Sequence, residues 1–366
     1  MSIYDLALPN ITAIQAYQPG KPIEELEREL GISNIIKLAS NENPLGPSPA
    51  VLSAMADACR DVSRYPDGNG FALKAALAQK HQLNINQVTL GNGSNDVLEL
   101  LARSFVSSSD EVIFSQFAFA VYPLLIQAIG AIPVISPARD YGHDLDAMKR
   151  LITNKTKLIF IANPNNPTGT ALAPEEIKDF IESISSKIIV VLDEAYVEYT
   201  TQTVNTIDWL DTYPNLVITR TFSKAYGLAA LRVGYSLSHI DVADIINRIR
   251  QPFNVNSFAL AAAVVALMDN DYIVKTRELN DAGMQQFKLG FRSLGIDFIP
   301  SKGNFICVNV ETDAGHVFEA LLQQGVITRP IGSYNLPQHL RISIGQTSEN
   351  ERCLSALAKT LELNYD

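Results

Sequence analysis

Thr219-Arg220-Thr221-Phe222-Ser223-Lys224-Ala225-Tyr226-Gly227-Leu228-Ala229-Ala230-Leu231-Arg232-Val233-Gly234 follows an apolar run, Leu216-Val217-Ile218, that reads as a buried strand end. Two hydroxyls, Thr221 and Ser223, stand beside Lys224, and Arg232 comes eight positions after that lysine. Hydroxyls with a guanidinium are a good set for holding a phosphate. A lysine in an otherwise apolar segment can have its pKa lowered and form a Schiff base. Taken alone, the Ser-Lys dipeptide reads as a surface pair with an unrelated arginine. The rest of the chain overturns that reading.

On either side of this stretch, short apolar runs recur with helical patterns between them. Strands are predicted at 88–90, 111–114, 132–136, 157–162, 188–193, 216–220 and 233–237. Such alternation means α/β with a mostly parallel sheet. The run 233–237 follows Lys224 too soon for a crossover helix, so it is expected to be antiparallel. After a long amphipathic helix over 271–294, ended by Gly295, the texture changes to α+β, which marks a smaller C-terminal domain. The expected division is 1–45 as an arm and part of the small domain, 46–270 as the large domain, and 271–366 as the small one.

Three further loops carry chemistry. Gly91-Asn92-Gly93-Ser94-Asn95-Asp96 lies between a strand and a helix predicted over 97–106. Free N–H groups and the positive dipole end of a helix start suit a phosphate. A plain turn with Ser94 or Asn95 as N-cap is the alternative. Asn163-Pro164-Asn165-Asn166-Pro167-Thr168-Gly169 holds Asn166 rigidly where open α/β sheets bind ligands, or is simply an elaborate turn. Ile188-Ile189-Val190-Val191-Leu192-Asp193-Glu194-Ala195-Tyr196 ends an apolar strand in a carboxylate. Asp193 is costly there without a partner, such as a cationic ring nitrogen, unless it caps a helix.

Asn166-Pro167-Thr168-Gly169, Asp193-Glu194-Ala195-Tyr196, and Ser223-Lys224 with Arg232, in this order, resemble the fold-type I pyridoxal-phosphate-dependent aminotransferases. Asn41-Glu42-Asn43-Pro44, Arg64-Tyr65-Pro66, the 91–94 turn, the arm Tyr17-Gln18-Pro19-Gly20-Lys21-Pro22 and Leu340-Arg341-Ile342-Ser343-Ile344-Gly345 are similar to the histidinol-phosphate aminotransferase branch, which serves histidine biosynthesis. The resemblance implies a three-layer large domain and a smaller α+β domain. It implies pyridoxal 5'-phosphate as cofactor, with histidinol phosphate and glutamate or 2-oxoglutarate as substrates. Lys224 would anchor the cofactor, and Asp193 would keep its ring nitrogen protonated. Asn166 and Tyr196 would bond its phenolic oxygen, and Phe119 would stack on its ring. Ser94, Asn95, Thr221, Ser223 and Arg232 would hold the phosphate. Tyr65 would reach the phosphate of a neighbouring subunit, which implies a homodimer with shared sites. Arg341 matches the arginine that grips the substrate's acidic end; Arg329, Tyr17 and Asn41 are further substrate-side candidates.

The sequence departs from the family at two points. Ser115-Gln116-Phe117-Ala118-Phe119-Ala120-Val121-Tyr122 offers Phe119 where many relatives place a tyrosine, so the stack keeps no hydroxyl. Ala230 stands where the usual Gly-Leu-x-Gly-Leu-Arg has its second glycine, a mild change.

Composition narrows the classes. The chain has 366 residues, a net charge of −10 and 47% hydrophobic residues. That suits a large core and argues against general nucleic-acid binding. Three scattered cysteines and five histidines offer no metal-ligand spacing. No signal peptide or membrane span is expected, and the sparse cysteines suit a cytoplasmic protein. The rival functions are an aromatic amino-acid aminotransferase, a threonine-phosphate decarboxylase, a dinucleotide-binding oxidoreductase using the 91–96 loop, and a non-catalytic binding protein.

Overall fold

A computed structural model describes residues 2–16, 20–201, 204–363 and 365. Seven strands form the central sheet: β1 Val88–Gly91, β2 Glu111–Ser115, β3 Ile132–Ser136, β4 Thr156–Ala162, β5 Ile189–Asp193, β6 Leu216–Thr221 and β7 Gly234–Ser238. Their order is β1-β7-β6-β5-β4-β2-β3. All neighbours pair in parallel except β7, which runs antiparallel to both β1 and β6. The expected reversal of 233–237 is thus present. Because β1, β6, β5 and β4 share one direction, the loops that follow them all emerge at one edge.

Period-two alternation splits the strand residues between two cores. Ile159, Ile161, Val190, Leu192 and Ile218 enter one core, with the helices Phe71–His81 and Ser257–Met268 near it. Leu158, Phe160, Val191 and Val217 enter the other, with the helices Ser94–Phe105 and Val121–Ile129. Except at the edge strand β3, where Ile132 and Ile135 are exposed, the sheet is buried on both faces, which explains why its inner strands read as unbroken apolar runs.

The chain's C-terminal part builds an antiparallel sheet from β8 Phe298–Ile299, β9 Phe305–Asn309, β10 Arg329–Pro330 and β11 His339–Ser343, in the order β8-β9-β11-β10. The helix Asn270–Leu294 and the helix Thr347–Thr360 cover it, and Ile36 and Leu38 join its core. The segment 326–330 is divided between two sheets. Val326–Ile327 pairs in parallel with Ile36–Lys37, and Arg329–Pro330 belongs to β10. Among the described residues, no single helix is long and apolar enough to cross a membrane.

Candidate active site

Strand ends set the floor of the site. β5 ends at Asp193, which pairs in register with Thr219 of β6. Both point to the face that carries Val191 and Val217. There Thr219 Oγ1 donates to Asp193 Oδ1 at 3.0 Å, and the buried Tyr122 hydroxyl donates to Oδ2 at 2.7 Å. Burial pushes the Asp193 carboxyl up, and those two hydrogen bonds pull the other way. Among the described residues no cation forms an ion pair with it. Asp193 is therefore not a helix cap: it is a buried acid at a cavity wall, short of a positive partner.

The neighbouring residue on each strand points the opposite way. Glu194 accepts from Arg220 Nε at 2.9 Å and from Nη2 at 2.7 Å, and its other oxygen accepts from Thr206 Oγ1 at 2.6 Å. This buried ion pair locks the ends of β5 and β6 together beneath the site.

The phosphate turn is tighter than the sequence suggests. The helix begins at Ser94 rather than at Val97, with Gly93 as an N-cap that has no side chain to bond its first N–H groups. Those donors stay free for an anion. Gly93 has φ +79°, and a Cβ there would come within 2.4 Å of Arg232 Nη2. A Cβ on Gly234 would come within 2.4 Å of the Ser94 amide. Bare backbone is needed at both positions. Arg232 Nη1 donates to Ser223 Oγ at 3.3 Å, and Thr221 Oγ1 accepts from the Ser223 amide at 3.0 Å. Ser94, Asn95, Thr221, Ser223 and Arg232 all line one cavity.

That cavity has a volume of about 200 Å³ and also takes in Lys224, Asp193, Asn166, Tyr196, Phe119, Asn41, Arg329 and Arg341. Lys224 Nζ donates to the Ser40 carbonyl at 3.1 Å. Burial first, then the Arg341 guanidinium and more weakly Arg232, lower the Lys224 ammonium to about 8, against an opposing pull from Glu42. Tyr196 OH accepts from Asn41 Nδ2 at 2.9 Å. Arg341 Nη1 donates to Asn166 Oδ1 at 2.6 Å and Nη2 to the Ala39 carbonyl at 2.8 Å, while its buried Nε has no hydrogen-bond partner. Arg329 and Arg341 are register partners on β10 and β11, so both guanidinium groups stand on the same side of the small sheet. Two like charges held side by side favour an anion between them.

Almost every residue expected at the site is there. Tyr65 is not part of this cavity: it lies in the turn after Arg64, 82% exposed, with its ring on Phe253. Tyr17 lies outside the described residues. Sequence reasoning assigned no role to Tyr122, Thr219 or Ser40. Alternation along β6 could have shown that Thr219 shares a face with Asp193. Tyr122 and Ser40 reach the site only through tertiary packing.

These residues fit pyridoxal phosphate. The carboxylate short of a cation suits a protonated ring nitrogen, the bare helix start with two hydroxyls and Arg232 suits a phosphate dianion, and a lysine lowered to about 8 suits an aldehyde.

The comparisons agree with this geometry. The family model described as aminotransferase class I and II matches residues 33–357. Histidinol-phosphate aminotransferase 2 of Pseudomonas fluorescens (strain Pf-5) is 55% identical over 360 residues, 97% of each chain. Histidinol-phosphate aminotransferase 1 of Idiomarina loihiensis is 55% identical over 357 residues, again 97% of each. The crystal structure of histidinol-phosphate aminotransferase from Sinorhizobium meliloti, in complex with pyridoxal-5'-phosphate, superposes with a TM-score of 0.89 at 29% identity, covering 97% of both chains. The chain belongs to the class I and II aminotransferase family.

Proposed function

We propose that the protein is a pyridoxal-phosphate-dependent transaminase that exchanges an amino group between L-histidinol phosphate and 2-oxoglutarate. In the biosynthetic direction it makes histidinol phosphate from imidazole-acetol phosphate and L-glutamate. The observation that carries this reading is the pair Arg329–Arg341, set in register on the small sheet and facing the cavity that holds Lys224. A planar guanidinium forks onto a phosphate monoester or a carboxylate alike, so one site can serve both substrates in turn. The names of the relatives support the choice of substrate.

In this reading Ser94, Asn95, Thr221, Ser223 and Arg232 hold the cofactor's phosphate, and Phe119 covers one face of its ring. Asp193 keeps a proton on the ring nitrogen, with Tyr122 and Thr219 fixing the carboxylate. Asn166 and Tyr196 orient the ring's phenolic oxygen. Bound there, the cofactor supplies an electron sink for charge developing at the substrate's α-carbon. Lys224 Nζ would be the covalent anchor and, once released by the substrate's amine, the base that takes the proton from the α-carbon of one substrate and, in the opposite half-reaction, delivers a proton to the α-carbon of the other. Its lowered pKa keeps a useful share of free amine near neutral pH. Arg341 swings from Asn166 and Ala39 to the substrate's acidic end. Asn41 orders Tyr196, and Tyr17 and Arg329 complete the substrate side.

The active form in this reading is a homodimer with shared sites, in which Tyr65 reaches the partner's phosphate. Its exposed ring, outside its own cavity, supports that. The chain divides into 1–45, 46–270 and 271–366, a division supported by Ile36 and Leu38 packing into the C-terminal core. Free Cys59, Cys307 and Cys353 suit a cytoplasmic site of action.

Steady-state turnover with 2-oxoglutarate tests the substrate. The expected kcat/KM for histidinol phosphate exceeds that for phenylalanine, and Arg341→Ala lowers both about 10- to 100-fold, the scale of one charge-assisted fork, because that fork serves either acid group. Equal efficiency would make the protein an aromatic aminotransferase, and release of carbon dioxide a decarboxylase.

A further inference from the structure

A hydrogen-bonded chain leads from the phosphate turn to the loop that carries Tyr65. The Asn92 amide donates to Asp96 Oδ2 at 2.8 Å, and the same oxygen accepts from Asn254 Nδ2 at 2.7 Å. Asn254 Oδ1 accepts from Arg250 Nη1 at 2.6 Å, and Arg250 Nη2 donates to the Gly68 carbonyl at 2.8 Å. The chain is clipped to β1 at two points. Asn254 also donates to the Leu90 carbonyl at 3.2 Å, and Arg250 Nε donates to Asn247, which itself donates to Thr89 Oγ1. Alongside runs an apolar contact: the Phe253 ring stacks on Tyr65 with centroids 4.7 Å apart. Phe253 holds φ +56°, a left-handed conformation unusual for a bulky residue. Gly68 leaves room for it, since a Cβ there would come within 3.2 Å of the Phe253 ring.

The two ends of this chain serve different sites. One end shapes the turn that holds the protomer's own cofactor phosphate. The other holds the loop whose tyrosine, in the dimeric reading above, serves the partner's phosphate. We propose that Asn254, with Arg250, is a positioning residue that ties cofactor binding in one protomer to the placement of the tyrosine it lends to the other. The idea rests on that dimeric reading. Both groups are polar and part-buried, each bonded at both ends, so removing either leaves its neighbours unpaired. Such coupling is reciprocal: a phosphate that orders the turn orders the exported Tyr65, and an engaged Tyr65 favours the phosphate.

Mixed dimers separate this role from a local one. Two differently tagged chains are co-expressed, and the heterodimer is purified and stripped of cofactor. One chain is unaltered. The other carries Lys224→Ala plus a second substitution, so only the unaltered chain can be fixed to pyridoxal phosphate by borohydride. That chain keeps its own phosphate turn and depends on the altered chain only for what is lent to it. The readout is the pyridoxal phosphate concentration that half-saturates labelling of its Lys224. Relative to Lys224→Ala alone, Asn254→Ala in the altered chain raises this concentration about 3- to 10-fold, the effect of one lost hydrogen bond. Arg250→Lys, which keeps the charge but loses the fork, shifts it the same way and carries the test if Asn254→Ala does not fold. Tyr65→Phe in the altered chain is the reference. A shift with Tyr65→Phe but none with Asn254→Ala or Arg250→Lys overturns the coupling and leaves the dimer intact. No shift with Tyr65→Phe removes the dimeric reading and this inference with it.

Discussion

Lys224 owes its chemistry to residues far away in sequence. Its ammonium is lowered to about 8 by burial and by Arg341. The sign is that of a base made easier to deprotonate: free amine dominates above about pH 8, and at pH 6 only about 1% is free. The rate at which cofactor-free protein captures pyridoxal phosphate therefore rises with pH and levels off above about 8. Stopped-flow absorbance between pH 6 and 10 measures this. Arg341→Ala moves the midpoint up, and a midpoint near 10.5 in the unaltered protein contradicts the assigned environment. At this scale much was legible. Lys224 stands beside two hydroxyls, Asp193 closes an apolar strand, and Asn166 is held between prolines. Taken together and in this order these local patterns point to a ligand, although Ser223-Lys224 alone does not. Tyr122 and Ser40 were not legible, because they meet Asp193 and Lys224 across 71 and 184 residues of sequence. No local pattern encodes such a meeting.

Alternation along two paired strands gives the site both its acid and its brace. Asp193 and Thr219 face the cavity side, while Glu194 and Arg220 face the opposite core. A one-residue slip of β6 against β5 would exchange these roles. Breaking a buried ion pair leaves one charge uncompensated, so Arg220→Ala is expected to cost ~3–5 kcal/mol of stability. Urea unfolding of the cofactor-free protein checks this, and a loss below ~1 kcal/mol would mean the pair is no brace. The strands, their direction and the reversal at β7 were readable from apolar runs and loop lengths. Helix and strand ends were less so. The helix after Gly93 begins at Ser94 because the glycine turn closes earlier than the apolar pattern starts. The split of 326–330 follows from pairing with Ile36–Lys37, a partner almost 300 residues away in sequence.

The large sheet supplies the cofactor side and the small sheet the two arginines, so neither part holds a complete site. The loop 39–41 joins them. Its Ala39 and Ser40 carbonyls accept from Arg341 and Lys224, and Asn41 donates to Tyr196. A substrate that drew Arg341 away from Asn166 and Ala39 would alter contacts in both parts at once. The division into two parts was legible from the change of texture after Gly295. The way they face each other was not, because it depends on side chains meeting across the cleft. The central claim, that Lys224 holds the cofactor and yields it to histidinol phosphate, has one direct measurement. Protein loaded with pyridoxal phosphate is reduced with borohydride, digested and weighed by mass spectrometry, with and without prior L-histidinol phosphate. The account predicts cofactor fixed on the peptide containing Lys224 without substrate and little or none after substrate. Label on another lysine, or undiminished label on Lys224 after histidinol phosphate, would contradict it.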